Sequence, residues 1–457
     1  MKRAGNGIQV NTLSEVVTVM AIGDVHLGTR PASLPPDLDE LGVEARQLTP
    51  EAGLTLAVEA AIAAKVDAVL FAGDVVESTN ARFEAMPPLE RVVRQLLAHH
   101  IPVYAVAGNH DVEALPRLAS LIEGFTLLGA GGHWESQVLH KNGQPALELV
   151  GWSFPERQVG TSPVAELLRA PLAPASPGVP RLGVLHGDLN AAGGPYAPFS
   201  SREIESARLD AWVFGHVHRP SLATAGDLLH GYLGSLVGLD PGETGPHGPW
   251  LLRTGAGAGI TAEHLPIAPL RWERLEVFVR ADENPEDLGD RLADELEKLV
   301  LALHAQACTP HALGVRIRLT GPSRHYDAIR SRIEDGSWQE IRRQVGPTTV
   351  FVNRVLDGLQ LAVDLEAIAR GDDPPALLAR KLLALRDGGD AQRTLLDLAR
   401  SELGATAVSA LWRPLAEVRE PSDPLTDEAI RDTLEQAGTA ALHALLAQRG
   451  SPGEDAT

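Results

Sequence analysis

Short, nearly continuous apolar runs recur along the first half of the chain, at residues 16–22 (VVTVMAI), 66–71, 102–107, 181–185 and 211–214. Their length and β-branched content predict buried strands. Between them, residues 50–65 (PEAGLTLAVEAAIAAK) and 87–100 place apolar residues at helical spacing. Thr49 is placed to cap the first of these helices. Pro50 takes its first helical position, where the missing N–H has no bond to lose. Buried strands alternating with helices of this length predict an α/β layered fold.

The texture then changes. Residues 171–180 (PLAPASPGVP) form a proline-rich loop. Residues 241–259 are rich in Gly and Pro and are expected to close the first domain or cover its mouth. Residues 272–280 (WERLEVFVR) alternate as a strand does. Helical patterning at 285–304 and 324–334, alternation at 313–319 and a last strand at 348–352 make a small α+β unit. From Pro374 onward the Ala/Leu-rich pattern is helical, with breaks at Gly388–Gly389 and Pro421–Pro424. Its stripe of Leu377, Leu378, Leu382, Leu385, Leu442, Leu445 and Leu446 serves either internal packing or a partner. The boundaries read from this pattern are 1–270, 271–355 and 356–457.

Composition narrows the classes. At 457 residues the chain exceeds one ordinary domain. The single cysteine, Cys308, excludes an intramolecular disulfide and a thiolate zinc site, and fits a reducing compartment. Met1-Lys2-Arg3 is basic, but the run at 16–22 passes straight into Gly23-Asp24 without a cleavage site, so it is read as a strand. No stretch approaches the ~20 apolar residues of a membrane span. The expected location is cytoplasmic, with no membrane partner. The net charge of -20 weighs against a simple nucleic-acid binder, although bound divalent metals add positive charge where a phosphate must sit.

Five polar motifs stand at the ends of apolar strands: Asp24-Val25-His26, Gly73-Asp74, Gly108-Asn109-His110-Asp111, His186-Gly187-Asp188 and Gly215-His216-Val217-His218. Strand ends of an α/β fold converge on one crevice. The motifs supply two carboxylates, one amide and four imidazoles as ligands, with one imidazole left over. That suits two metals about 3.5–4 Å apart sharing a carboxylate. Mixed nitrogen and oxygen donors without thiolate fit manganese, iron or zinc better than calcium or copper(I); manganese is the expected metal, with iron, zinc, cobalt or magnesium as alternatives. Any one of these residues alone has an ordinary reading. A single Asp after a strand is usually a turn or cap residue, and isolated histidines such as His133 and His140 receive no role. The paired motifs, in this order, carry the inference.

That order resembles the calcineurin-like metallophosphoesterase superfamily over residues 24–218. The resemblance implies a layered β-sandwich core flanked by helices. It implies one metal held by Asp24, His26, Asp74 and His218, and another by Asp74, Asn109, His186 and His216, with Asp74 bridging. It makes His110 catalytic and a non-ligand, near the scissile phosphate, and Asp111 the partner that orients it. A hydroxide between the metals would attack phosphorus in line.

Three features resemble the SbcD-type DNA repair nucleases and their YhaO-like branch. His26 is followed by Leu27-Gly28. The segments Tyr232-Leu233-Gly234-Ser235 and Glu243-Thr244-Gly245-Pro246-His247-Gly248 are similar to that branch. The chain also continues well beyond the metal motifs. The resemblance implies an exonuclease or endonuclease subunit acting on DNA, a small α+β capping domain, and C-terminal helices that grip an SMC-like coiled-coil ATPase of the SbcC type. It also implies a homodimer. Some nucleases of the group carry a second catalytic histidine three residues after the bridging Asp; here Glu77 takes that place. Two other readings stand beside this one: a small-molecule or cyclic-nucleotide phosphodiesterase or phosphatase, and a non-catalytic scaffold that binds DNA ends.

Overall fold

The computed structural model describes residues 16–77, 82–174, 178–191, 193–254, 259–407 and 426–450. Met1-Lys2-Arg3 and the break at Pro421–Pro424 lie outside the described residues, as do 175–177 and 255–258 of the two loop stretches.

The five strands read from the apolar runs lie within two six-stranded sheets. The first has the order Ile260–His264, Trp250–Thr254, Thr18–Ile22, Ala68–Ala72, Val103–Val106, Phe125–Leu127. Its last four strands are parallel. The second has the order Glu135–Lys141, Gln144–Trp152, Arg181–His186, Ala211–Gly215, Leu228–Tyr232, Ala223–Ala225. Its four central members are parallel.

Side-chain alternation explains why these strands read as unbroken apolar runs. Val19 and Ala21 face a core shared with Leu149, Leu182, Val184 and Val213 of the second sheet. Met20 and Ile22 point the other way, against Leu54 and Val58 of the helix Pro50–Ala64 and Leu89 and Val93 of the helix Arg82–Ala98. The far face of the second sheet, with Trp212 and Phe214, packs under Val164, Leu167 and Ile204 of two short helices. The central strands of each sheet are therefore buried on both faces, and a strand buried on both faces loses its polar alternation. The expected layered β-sandwich flanked by helices is the architecture present.

Thr49 caps its helix as expected, accepting from the Ala52 N–H at 3.4 Å. The stretch 241–259, read as loop, contains a strand: Trp250–Thr254 lies antiparallel to Thr18–Ile22. The edge strand Glu135–Lys141 (ESQVLHK) has only Leu139 fully buried, so its sequence carries little apolar pattern.

A third, four-stranded sheet has the order Leu270–Phe278, Ala312–Ser323, Thr348–Leu361, Arg342–Val345. The chain divides into two compact units. Unit 1 comprises Met1–Leu275, Arg291–Ile317 and Gly336–Val355; unit 2 comprises Glu276–Asp290, Arg318–Asp335 and Leu356–Thr457. Residues 291–317 and 336–355, placed with the capping piece in the sequence reading, thus group with unit 1. Within unit 2 the helix Pro374–Asp387 packs through Ala379 and Leu382 on Leu442 of the helix Asp427–Gly450, and Leu385 joins Leu396 and Ile430. Most of the leucine stripe is spent on this internal packing. Among the described residues no helix is long and apolar enough to cross a membrane.

Candidate metal centre

The five motifs leave the C-terminal ends of five parallel strands, three in the first sheet and two in the second, and meet where the sheets come together. The flanking glycines allow the approach. A Cβ at Gly108 would stand 2.2 Å from Asp74 Oδ1, and one at Gly215 would stand 2.1 Å from the Ala72 carbonyl oxygen. Three site residues hold backbone conformations that side chains rarely adopt: His26 with φ 52°, Asp74 with φ 50° and His216 with φ 100°. The His216 turn is tied down by its N–H, which donates to Asp24 Oδ1 at 2.8 Å across the two sheets.

Three sets of side chains stand close enough to share a cation: Asp24 with His26 and His218, Asp74 with His186 and His216, and His26 with Glu77 and His110. His186 is fully buried and its Nδ1 donates to the Ala72 carbonyl at 3.0 Å. Its Nε2 then faces two oxygens, Asn109 Oδ1 at 3.1 Å and Asp74 Oδ2 at 3.2 Å. In the Asp24 group, Nε2 of His26 and Nε2 of His218 stand 3.1 Å apart. His218 Nδ1 lies 2.8 Å from Glu243 Oε1, and His26 Nδ1 lies 3.5 Å from Glu77 Oε2. The close Glu243 carboxylate assigns the His218 ring proton to Nδ1, so the lone pair of its Nε2 points at the His26 ring. Asp24 Oδ2, next to them, is buried without a hydrogen-bond partner. A lone pair and an orphaned carboxylate oxygen aimed at a common point are satisfied by a cation. The residues present therefore fit divalent metals, with Asp74 within reach of both His186 and His26 (3.2 and 3.9 Å).

The protonation equilibria of Asp74 and His186 report the same demand for positive charge. Burial raises Asp74, but His186 and His26 outweigh it and hold the carboxyl well below its ordinary range. Burial lowers His186, but Asp74 and Asp24 raise it to about 9. His216 is pushed down to about 4 by burial and by the neighbouring His186.

A family model described as calcineurin-like phosphoesterase matches residues 17–220, which contain all five motifs. Residues 17–220 are a calcineurin-like phosphoesterase domain. The chain is 26% identical over 261 residues to the metallophosphoesterase YhaO of Bacillus subtilis, a match covering 53% of this chain and 58% of that protein. It is 33% identical over 107 residues to the DNA double-strand break repair protein Mre11 of Aeropyrum pernix, covering 23% of this chain and 24% of that one. The matches thus span less than two thirds of either relative. A dimetal phosphatase from Danio rerio aligns at 15% identity and a TM-score of 0.34, over 54% of this chain and 98% of its own.

Within the phosphoesterase domain, His110 and Asp111 part company. His110 stands outside the groups built on Asp24 and Asp74 and instead joins His26 and Glu77; its side chain is 42% exposed and its Nδ1 lies 2.8 Å from Glu77 Oε2. Asp111, read from the sequence as the partner orienting His110, is fully buried and turned elsewhere. Its Oδ2 accepts from the Val75 N–H and its Oδ1 from the Gly108 N–H, both at 2.7 Å. It fastens the loops that carry Asp74 and Asn109, and burial together with the Asp74 charge raises its carboxyl to about 8. The residue beside His110 is Glu77.

Two more residues belong to the site that the sequence reading gave no role. Asp188 Oδ1 stands 3.2 Å from His216 Nε2. Glu243 holds His218 and also accepts from Ser235 Oγ and the Leu239 N–H, both at 3.0 Å. The signal for Glu243 lay in the segment 243–248, used above only as a mark of resemblance.

Proposed function

We propose that this chain is a metal-dependent nuclease that hydrolyses phosphodiester bonds in DNA. The observation that carries the reading is the pairing of two complete donor groups with a half-exposed histidine, His110, held at their side by Glu77. Bound divalent cations would supply Lewis-acid charge for the phosphoryl oxygens and lower the pKa of water toward about 7. Asp24, His26, Asp74 and His218 would hold one cation, and Asp74, Asn109, His186 and His216 the other. His110 would protonate the leaving oxygen or offset its developing charge. Support for DNA as the substrate comes from the Mre11 match, whose name is that of a DNA break repair protein, and from Leu27-Gly28 after His26.

The second reading, a small-molecule phosphodiesterase or phosphatase, is favoured by the net charge of -20, which repels a polyanion over most of the surface. Purified protein with manganese is assayed on labelled duplex DNA and on bis(p-nitrophenyl) phosphate, with Asp74→Asn as the control. Manganese-dependent cleavage of DNA, lost in the control, supports the nuclease. Hydrolysis of the aryl diester alone supports the second reading.

The proposal extends to a partner. An SMC-like coiled-coil ATPase of the SbcC type would dock on the C-terminal helices, where Leu377 and Leu398 remain 55% and 62% exposed. Deleting residues 374–457 is expected to abolish co-purification with the ATPase while aryl diester hydrolysis persists. Loss of both would place these helices in the core of the enzyme.

A further inference from the structure

Two cavities lie along the segment that follows the metal-site residue His26 in the chain. The first, of 460 Å³, begins at Leu27 and has Arg30, Leu34 and Arg46 in its wall. The second, of 500 Å³, is walled by Leu34, Arg316, Arg342 and Arg354. Leu34 lines both, so the two adjoin, and all of these residues belong to unit 1. The backbone between is tethered: the Ala32 N–H donates to the Leu239 carbonyl at 2.8 Å, and Asn353 Nδ2 donates to the Ser33 carbonyl at 3.3 Å.

The charge in this trough runs against the charge of the chain. Five arginines face two carboxylates, Glu51 and Glu340, in a protein with 40 basic and 60 acidic residues. Arg46 is held by Glu44 and Arg342 by Asp37. Arg316 donates through Nε to a neutral acceptor, Asn353 Oδ1, at 3.0 Å. Among the described residues Arg30, Arg316 and Arg354 have no carboxylate partner. Three guanidinium groups without an ion-pair partner, spread over two adjoining cavities whose lining begins at the residue after a metal-site histidine, exceed what a small diester held at the metal centre would need. They match a ligand with regularly spaced negative charge. A nucleic-acid strand carries one charge per ~3.4 Å of axis, and guanidinium is the group suited to phosphate oxygens.

We propose that this trough is a phosphate track: a nucleic-acid strand whose scissile phosphate lies at the metal centre continues along residues 27–36, with its flanking phosphates on Arg30, Arg316 and Arg354. The proposal rests on the nuclease reading above and assigns how that substrate is held. The three side chains position the strand and take no part in the chemistry at the metal centre.

The test uses the full chain with manganese, as wild type, Arg30→Gln, Arg354→Glu and the triple variant Arg30→Gln/Arg316→Gln/Arg354→Gln. Cleavage of a labelled duplex oligonucleotide and hydrolysis of bis(p-nitrophenyl) phosphate are measured side by side, and DNA cleavage is repeated across a salt series. The ratio of kcat/KM on DNA to that on the aryl diester is expected to fall about tenfold in the triple variant and further for charge reversal at Arg354. The slope of log(kcat/KM) on DNA against log[salt] is expected to shrink by about 0.9 for each phosphate that an arginine no longer neutralises. Wild type that cleaves DNA while the variants keep both the ratio and the salt slope overturns the track and leaves the nuclease reading standing. An equal loss on both substrates overturns it as well, because the arginines then support the metal centre. Wild type that hydrolyses the aryl diester but never DNA refutes the nuclease reading itself, and the track with it.

Discussion

Replacing Glu77 by alanine removes the carboxylate that reaches both His110 and His26. Its Oε2 lies 2.8 Å from Nδ1 of His110 and 3.5 Å from Nδ1 of His26. A charge-assisted hydrogen bond contributes about 1.5–3 kcal/mol. The His110 side chain is 42% exposed, so water competes and the low end applies. A loss near 1.4 kcal/mol is about tenfold in rate. The longer contact to His26 lies outside good hydrogen-bond distance, so manganese affinity should fall by less than the rate does. The assay is kcat on bis(p-nitrophenyl) phosphate at saturating manganese, with affinity by calorimetry, for Glu77→Ala, Glu77→Gln, His110→Ala and the double variant Glu77→Ala/His110→Ala. His110→Ala alone should keep its metals and lose roughly 10²–10⁴ in rate, the range of a general acid or base. Because Glu77 acts through the ring, the double variant should be no slower than His110→Ala. Additive losses in the double variant, or a loss of affinity that matches the loss of rate, would refute the pairing.

Asp74→Asn is expected to weaken both metals together, since a neutral amide bridges cations poorly; two metals bound at wild-type affinity would contradict its shared position. Glu243→Gln should lower manganese affinity by roughly 10–100-fold, because the carboxylate fixes His218 through Nδ1 at 2.8 Å; an unchanged calorimetric Kd would count against it. His264 offers a stability test away from the donors: it stacks on Trp250 with ring centroids 4.5 Å apart, and burial pushes it down to about 4. Its folded pKa lies below the ordinary value near 6.5, so its contribution is complete above that pH. The contribution is lost as pH falls toward 4, by at most about 3 kcal/mol and less for a ring still partly exposed. Urea midpoints of wild type and His264→Phe should therefore diverge in favour of the variant between pH 7.5 and 5, and a pH-independent difference would remove His264 as the cause.

The layered core and the side chains that gather at the candidate metal centre were legible in the sequence because the signals are local, while their division between two metals came from the family resemblance. A strand buried on both faces is written as an apolar run, and a ligand at its end must follow within two or three residues, beside a glycine that lets the sheets approach. Asp24, Asp74, Asn109, His186 and His216 all sit in such positions. The strand Trp250–Thr254 is hidden inside a Gly- and Pro-rich stretch, and Glu135–Lys141 is hidden because an edge strand needs little apolar surface. What surrounds the donors depends on which loops meet. Asp111 follows His110 in the chain, yet its carboxylate turns inward, since the buried N–H groups of Val75 and Gly108 require acceptors. Glu77 comes to His110 from another strand end, and Glu243 reaches His218 from a segment 25 residues further along. The leucine stripe of the C-terminal helices could serve packing or a partner by spacing alone, and the packing of Leu382, Leu385 and Leu442 shows most of it engaged within unit 2. Residue type and local spacing therefore determined the donors. The tertiary structure decided their supports, because a side chain's hydrogen-bond partner is set by proximity in space, which the order of residues does not record.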